Sequence, residues 1–398
     1  MAGRYFNSVN ITFGPHTSVS KLASLLASRS CIVITSKGST ARGVIDTIRD
    51  GLKGRTCNAY GDGVDFDGVF AVYDNAPPNP TIDDVTKAAE VMSEHEADAI
   101  IAIGGGSVLD LAKGVATLRS PGIPAGFLYK HLRHGKAFPL NFSPPPIFAI
   151  PTTHGTGSEV TMWATVWDTE LERKYSLSHP RLYPEHAVID PTLTVSCPEE
   201  VTVSTGLDAL SHAMESVWNR NHNPIADALA TKVIKVVPDA LIHALSHPSC
   251  LHTRSTLLNA STLAGMCISG TKTAIAHSIS YPLTLAFGLP HGLACSFTLP
   301  TVLRRIGQAG SAERIQPILD GLGVSTAEEG SDKLLHLFSR LHVGTHLTKY
   351  IPHPGSISKL DAPFLNKDRA GNSMLAMSND EARQLAATAM EDILKRGE

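Results

Sequence analysis

Short apolar runs alternate with amphipathic segments through the first half of the chain. The apolar runs cover residues 31–36 (CIVITS), 68–74 (GVFAVYD) and 97–107 (ADAIIAIGGGS), and segments of helical periodicity cover residues 39–52 and about 81–96. This order of strand, helix and strand is typical of a parallel sheet with right-handed crossovers. The first half is therefore predicted to be α/β.

The pattern changes near residue 195. Beyond it, long Ala- and Leu-rich segments follow one another, and the last opens with the helix-start signal Ser378-Asn379-Asp380-Glu381. The pattern predicts an α/β domain with a parallel sheet over residues 1–195 and an all-helical domain over residues 196–398. Two domains also suit a chain of 398 residues, which is long for a single core.

Composition narrows the functional classes. The chain has 42% hydrophobic and 18% charged residues and a net charge of -3, which is typical of a soluble globular protein. It has no basic stripe and no Lys/Arg-rich run, so we expect no nucleic-acid partner. The N-terminus lacks the apolar core of a signal peptide, and no stretch approaches the roughly 20 apolar residues of a membrane span. A cytoplasmic protein without a membrane partner is expected.

The cysteines predict reduced thiols rather than disulfides. They are scattered along the chain without a CxxC pair. They are Cys31, Cys57, Cys197, Cys250, Cys267 and Cys295.

Four residues of the second half have the chemistry of a divalent metal site. Asp208 and His212 are four apart in TGLDALSHAMES, so on a helix they share one face. His277 and His291 can join them only through the tertiary fold. One carboxylate with three imidazoles suits Fe(II) or Zn(II), whereas Mg(II) prefers oxygen ligands. The alternative is a chance pair, because the chain contains 18 histidines.

Glycines mark a candidate phosphate-binding turn in the first half. In AIIAIGGGSVLDLAKG, an apolar strand runs into Gly104, Gly105, Gly106 and Ser107 and then into a helix that contains Asp110. Such a turn lets the backbone approach a ligand closely, and the helix start attracts an anion. A tight structural turn is the alternative interpretation.

A second loop of small residues, PTTHGTGSE over residues 151–159, follows another apolar strand. Its hydroxyl and amide groups suit nicotinamide, ribose or phosphate. A loop whose hydroxyl groups only cap the backbone is the alternative.

In order along the chain, these segments resemble the iron-dependent (group III) alcohol dehydrogenase family. The motifs are Asn79-Pro80-Thr81, GGGSVLDLAK, PTTHGTGSEVT, Arg173-Lys174, IDPTL and TGLDALSHAMES, followed by the spaced histidines that end in PHG. Six motifs in the same order are far more specific than any one of them. The resemblance implies a dinucleotide-binding domain, a helical metal domain, an active site in the cleft between them and a homodimer.

The resemblance also assigns residues. The metal ligands fall on Asp208, His212, His277 and His291, and the cofactor is NAD(H) or NADP(H). The cofactor-binding residues would be Asn79, Gly105, Gly106, Ser107, Asp110, Thr152, Thr153, Thr156, Thr161 and Lys174.

Two positions depart from the common family pattern. Many members have a histidine four residues after the third ligand, where this chain has Tyr281. Tyr281 can donate a proton, but with an ordinary pKa near 10 it would need a neighbouring cation or metal-bound water at neutral pH. A helix-packing tyrosine is the alternative. NAD-preferring members have an Asp after the first strand, where this chain has Ser36 and Lys37, which favours NADP(H) unless Lys37 is an ordinary loop residue.

The stretches HSISYPLTLAFGLPHG and ESVWNRNHNP resemble the phosphonoacetaldehyde reductase subgroup, which forms 2-hydroxyethylphosphonate in phosphonate biosynthesis. A phosphonate needs hydrogen-bond donors beside the metal, for which Lys272, Asn219 and Asn221 are candidates. Alternatively, Lys272 is a solvated helix-start residue and the Asn-rich run ends a helix.

Hydride transfer to an aldehyde is the predicted reaction, with His277 and Tyr281 in catalytic roles. Other small aldehydes, 2-oxo acids such as phosphonopyruvate, and alcohols are alternative substrates. A cyclising lyase of the dehydroquinate synthase type and a non-catalytic metal- and nucleotide-binding protein are the alternatives of other classes.

Overall fold

The computed structural model describes residues 5–26, 29–52, 56–57, 64–65, 71–171, 173–310 and 313–397. The chain divides into two compact units. The sheet unit comprises Asn7–Thr153 and Ser158–Ser196, and the helical unit comprises Met1–Phe6, His154–Gly157 and Cys197–Glu398. The short segment His154–Gly157 therefore belongs to the helical unit, although the sheet unit surrounds it in sequence.

Six parallel strands form the main sheet, in the order β1-β10-β7-β6-β2-β5. Two short antiparallel pairs, β3-β4 and β8-β9, complete the described strands. The strands are β1 Asn10–Phe13, β2 Cys31–Ile34, β3 Thr56–Cys57, β4 Val64–Asp65, β5 Ala71–Tyr73, β6 Ala99–Gly104, β7 Ile147–Pro151, β8 Trp163–Asp168, β9 Arg173–Ser178 and β10 His186–Ile189.

The parallel sheet confirms the fold class predicted for the first half. Strands β2, β6 and β7 are buried at every position, which explains why they read as apolar runs rather than as alternating patterns. The predicted strand over residues 68–74 appears as Ala71–Tyr73, and residues 68–70 lie outside the described residues. The β8-β9 hairpin was not predicted.

The helices of the sheet unit alternate with its strands. The helix predicted over about 81–96 runs over Ile82–Glu94, and its start is fixed by a capping box between Thr81 and Asp84. The helices are α1 Thr17–Leu26, α2 Lys37–Ala41, α3 Val44–Leu52, α4 Ile82–Glu94, α5 Gly106–Leu118 and α6 Phe127–His134.

The described part of the helical unit contains no strand, which confirms the predicted all-helical half. Its last helix is capped by Ser378 and Glu381, whose side chains each bond the other residue's backbone N–H. The helices are α7 Glu199–Val217, α8 Pro224–Ser246, α9 Leu251–Thr271, α10 Ile275–Phe287, α11 His291–Ser296, α12 Leu299–Gln308, α13 Gln316–Leu322, α14 Ala327–Arg340, α15 Val343–Thr348, α16 Pro354–Ser358, α17 Lys367–Ala370 and α18 Asn379–Gly397.

Helix α7 lies at the centre of the helical unit and packs against α8, α9 and α11. Its apolar residues Leu207, Leu210, Met214 and Val217 are fully buried in one core. The polar residues of α7 are therefore drawn into the interior with the helix. Among the described residues, no helix has the length and apolar content that crossing a membrane requires. The described cysteines Cys31, Cys197, Cys250, Cys267 and Cys295 are all free thiols, and the Cys57 side chain lies outside the described residues.

Candidate metal centre and cofactor turn

Asp208 and His212 lie one turn apart on α7, and both side chains are buried. The Asp208 Oδ1 atom lies 3.5 Å from the His212 Nε2 atom. The helical spacing predicted from the sequence thus brings these two groups together on one face.

Two further imidazoles reach the same carboxylate oxygen. His277 of α10 places Nε2 at 3.5 Å from the Asp208 Oδ1, and His291 at the start of α11 places Nε2 at 4.0 Å. The rings of His212 and His277 stack at 4.8 Å. His277 is buried, whereas the His291 side chain is 35% exposed and marks the side of the centre that faces solvent.

Glu215 orients His277 and was not predicted from the sequence. Its buried carboxylate lies 2.6 Å from the His277 Nδ1 and accepts the backbone N–H groups of Ala274, Ala276 and His277 at the start of α10. A carboxylate at Nδ1 keeps a proton there, which leaves Nε2 as the ring atom that faces Asp208. Glu215 lies seven residues after Asp208 on the same face of α7, and this spacing was the available signal.

The ionisable groups of the centre shift one another's pKa values. Burial raises the pKa of the Asp208 carboxyl, but the surrounding imidazoles outweigh burial and hold the pKa well below its usual range. Burial lowers the pKa of His212. Burial also acts to lower the pKa of His277, but the acidic groups around it, the Glu215 carboxylate among them, outweigh burial and raise that pKa. Asp208 is therefore an ionised carboxylate in a dry site, which attracts a cation.

The Glu215 carboxyl is likewise ionised. Burial acts to raise its pKa, but the His277 ring and the backbone N–H groups of Ala274 and His277 hold that pKa below its usual value.

A buried thiol also faces the centre. The Cys295 Sγ lies 3.2 Å from the Asp208 Oδ1. Ligand atoms of Asp208, His277, His291 and Cys295 all lie within 4.8 Å of one another. Burial raises the pKa of the Cys295 thiol to about 12, so the sulfur is protonated at neutral pH and donates to the carboxylate.

Gly292 lets the His291 helix approach α7. A Cβ atom at this position would lie 1.9 Å from the Ser204 backbone oxygen, closer than any real contact. A side chain at residue 292 would therefore push His291 away from Asp208, which explains the glycine of the PHG motif.

The distances of the three imidazoles from Asp208 suit a divalent ion, although the group of ligand atoms within 4.8 Å of one another contains Cys295 and not His212. Two donor atoms bonded to one ion at about 2.1 Å are roughly 3.4 Å apart at tetrahedral angles. The distances of His212 and His277 to Asp208, 3.5 Å each, match this value, and that of His291 is slightly wider. The buried His277 Nε2 has no hydrogen-bond partner among the described residues, as expected of a metal ligand.

The glycine turn lies at the carboxyl end of the parallel sheet. Gly105 precedes α5 and Gly106 begins it, and no side chain caps the helix start. Because Gly104 pairs with Pro151 across β6 and β7, the turn and the second predicted loop lie side by side. Backbone N–H groups at a helix start beside parallel strand ends suit a pyrophosphate.

The other cofactor residues near this turn are also brought together. The Asn79 backbone N–H donates to the Ser107 hydroxyl at 3.2 Å, and the Thr152 N–H donates to the Gly104 carbonyl at 3.0 Å. The Thr153 side chain lies against Gly105.

Asp110 and Thr161 belong to a buried network around Lys113. The Asp110 carboxylate accepts the Ser158 hydroxyl and the Thr165 N–H, each at 2.7 Å. Lys113 is fully buried and donates to Ser158 and, at 3.3 Å, to the Thr161 hydroxyl. Burial lowers the pKa of Lys113 to about 8. This network fixes the loop after β7, and a direct cofactor contact by Asp110 or Thr161 stays a prediction.

The remaining cofactor candidates occupy different surroundings. Ser36 follows β2 and caps the short helix α2 through Ser39, and Lys37 is exposed at the first position of α2. Lys174 lies on β9 with its ammonium 5.9 Å from the Trp167 ring. Thr156 lies in His154–Gly157, the short segment that belongs to the helical unit.

The predicted substrate residues Asn219 and Asn221 mostly bond the backbone. Asn219 donates its side-chain amide to the Lys272 carbonyl at 3.1 Å, and Asn221 donates to the Thr271 carbonyl at 3.3 Å. Lys272 is exposed and has a positive φ of 65°. The Tyr281 hydroxyl accepts from the Arg369 Nε at 3.0 Å, so the structure supplies the neighbouring cation that this tyrosine was expected to need.

Comparisons with known proteins show the family of both halves of the chain. Residues 8–191 match the model of the family described as iron-containing alcohol dehydrogenase, and residues 202–397 match the C-terminal model of the Fe-containing alcohol dehydrogenase family. A 1-propanol dehydrogenase of Citrobacter freundii is 37% identical over 61% of this chain and 60% of its own length. The 1-propanol dehydrogenase of Salmonella typhimurium is 34% identical over 72% of this chain and 69% of its own length.

One solved structure is similar to this protein over nearly the full length of both chains. Sulfoacetaldehyde reductase from Bifidobacterium kashiwanohense, in complex with NAD+, has a TM-score of 0.82 and 28% identity, and the match covers 98% of this chain and 99% of that one.

The protein is thus of the metal-containing alcohol dehydrogenase class. More closely, the chain belongs to the iron-containing alcohol dehydrogenase family.

Proposed function

We propose that the protein reduces a small aldehyde that carries an anionic group, with phosphonoacetaldehyde as substrate and 2-hydroxyethylphosphonate as product. The observation that carries the proposal is the buried Asp208 carboxylate with three imidazoles directed at one of its oxygens. The similarity to a sulfoacetaldehyde reductase supports the substrate class, because sulfoacetaldehyde is also a two-carbon aldehyde with an oxyanion group.

A divalent ion, Fe(II) or Zn(II), held by Asp208, His212, His277 and His291 would supply Lewis-acid stabilisation of the carbonyl oxygen, while NAD(P)H supplies the hydride. Glu215 keeps the proton of His277 on Nδ1. We assign the Tyr281 hydroxyl as the proton donor to the alkoxide, because the guanidinium of Arg369, which donates to its oxygen, favours loss of the proton.

We propose NADPH as the preferred reductant. Ser36 at the end of β2 leaves no carboxylate to repel a 2'-phosphate, and Lys37 is exposed beside it. Arg42 adds a second cation, with its guanidinium 3.5 Å from the Ser39 hydroxyl. The homodimer, which the resemblance implied, and the cytoplasmic location, which was expected from the sequence, stay proposals.

A second candidate is the oxidation or reduction of an uncharged alcohol or aldehyde, which the identity to 1-propanol dehydrogenases favours. A substrate screen separates the two. The protein is reconstituted with Fe(II) or Zn(II), and oxidation of NADPH and NADH is followed with phosphonoacetaldehyde, sulfoacetaldehyde, phosphonopyruvate and propanal.

The proposal expects the highest kcat/KM with phosphonoacetaldehyde. A preference for propanal would replace it with the uncharged substrate class. Product formation without net cofactor oxidation would indicate a cyclising lyase.

A further inference from the structure

A hydrogen bond joins two residues that are 88 apart in the chain, Tyr281 of α10 and Arg369 of α17. Both side chains are half-buried. We infer that Arg369 is the residue that binds the anionic group of the substrate, with Tyr281 holding its guanidinium in position. The inference rests on the proposed function, because it assigns the part of the site that selects a phosphonate or sulfonate.

The pair lies one helical turn from a metal ligand. His277 and Tyr281 are four apart on α10, so their Cβ atoms lie on one face of the helix, about 6 Å apart. In a two-carbon aldehyde, the carbonyl oxygen and an oxygen of the terminal oxyanion are separated by about 5 Å, given bonds of roughly 1.5 Å. A short substrate can therefore place its carbonyl near His277 and its anion near Arg369.

The segment that carries Arg369 is fastened to α10. The Ser278 hydroxyl donates to the Phe364 carbonyl at 3.0 Å and accepts the Asn366 N–H at 2.7 Å. Asn366 then caps α17 by accepting the Asp368 N–H. Because Ser278 follows the ligand His277 directly, the position of Arg369 is tied to that of the metal centre.

A second attachment holds the other end of this segment. Asn372 donates its amide to the Thr273 carbonyl at 2.9 Å, just before α10. The Arg220 N–H donates to the Asn372 carbonyl at 2.7 Å, and its Nε donates to the Ser373 carbonyl at 2.9 Å. Arg220, in the polar run after α7, thus helps to position the Arg369 segment.

The chemistry of arginine suits this role. A guanidinium is permanently charged and presents N–H groups in a planar fork that fits two oxygens of a phosphonate or sulfonate. The Nε–H donates to Tyr281, which orients the fork. A lysine would carry the charge but not the fixed geometry.

The test compares substrates of equal length in the metal-loaded enzyme. The kcat and KM values of wild type, Arg369→Gln and Arg369→Lys are measured with phosphonoacetaldehyde, sulfoacetaldehyde and propanal. Lys367→Gln is the matched control, because it removes an exposed cation from the same short helix. Inhibition by methylphosphonate and thermal unfolding of each variant separate anion binding from misfolding.

We expect Arg369→Gln to lose roughly 100-fold in kcat/KM with both anionic aldehydes, mainly through KM, because a neutral amide cannot replace the charged hydrogen bonds of the guanidinium. With propanal the loss is expected to stay below tenfold, methylphosphonate inhibition to disappear, Arg369→Lys to be intermediate and Lys367→Gln to resemble wild type.

Equal losses on charged and uncharged aldehydes, or an unchanged preference for the anionic ones, would overturn the role of Arg369 while leaving the proposed function in place. A wild-type enzyme without any preference for anionic aldehydes would overturn the proposed function, and this assignment with it.

Discussion

The metal centre and the cofactor turn use different kinds of binding group. At the metal centre, ionisable side chains from α7, α10 and α11 meet around one carboxylate oxygen. At the turn after β6, the binding groups are backbone N–H groups at the uncapped start of α5. The first site depends on which residues are present, and the second on how closely the backbone can approach a ligand.

This difference predicts how each site responds to substitution. Substitution of a ligand of the metal centre is expected to weaken binding of the ion. Substitution of a polar residue near the turn is expected to change the stability of the protein or its preference between NADPH and NADH. Four substitutions test the contrast.

The largest effect is expected for Asp208→Asn. The amide removes the negative charge that lies beside His212, His277 and His291 and is a poorer ligand. Aldehyde reduction should fall by at least about 1,000-fold, because metal stabilisation of the alkoxide is worth several kcal/mol. Metal content after dialysis should fall as well, while NADPH binding followed by fluorescence stays near the wild-type value. Full metal occupancy with a wild-type rate would refute the ligand assignment.

Glu215→Gln should have the next largest effect. Loss of the carboxylate at the His277 Nδ1 releases the orientation of that ring, and partners of this kind change metal affinity or activity by roughly 10–100-fold. Competition with a chelator measures the affinity. Glu199→Gln, at the exposed start of the same helix, is the control and should bind metal as wild type does. Equal affinities for Glu215→Gln and this control would contradict the role of Glu215.

Asp110→Asn tests the turn. Because the carboxylate accepts from Ser158 and Thr165 and balances the buried Lys113, its loss should lower the free energy of unfolding by about 2 kcal/mol. Denaturant unfolding with and without NADPH measures both properties. A variant with full stability but weak NADPH binding would show instead that Asp110 contacts the cofactor directly.

The smallest effect is expected for Ser36→Asp. Aspartate can still cap α2, but its charge opposes a 2'-phosphate and accepts from a ribose hydroxyl. The ratio of kcat/KM for NADPH over NADH should fall about tenfold. Ser20→Asp, an exposed serine of α1, controls for the added charge. If both variants keep the wild-type ratio, the proposed position of the adenosine ribose is wrong.

The fold and the candidate ligands followed from local patterns. Buried parallel strands produce apolar runs, and Asp208 and His212 are separated by one helical turn, so both signals are present in a short stretch of sequence. The family resemblance then joined His277 and His291 to them. Whether all four bind one ion stays a prediction.

The features that could not be predicted from the sequence depend on contacts between segments that are far apart in the chain. Arg369 meets Tyr281 across 88 residues, and no local pattern marks that pair. Asn219 and Asn221 have the donors that a substrate requires, yet the structure directs their amides mainly to backbone carbonyls. The hairpin of Trp163–Asp168 and Arg173–Ser178 was missed although its first strand alternates between buried and half-buried residues.

Glu215 has a consequence for how an ion enters and leaves. One carboxylate both fixes the first turn of α10 and aims His277, so the ligand geometry is complete once the helices are folded. Binding then requires little rearrangement, unlike small metal domains that fold around their ion. We therefore expect exchange of the ion to take place on the side of His291, the most exposed of the three histidines.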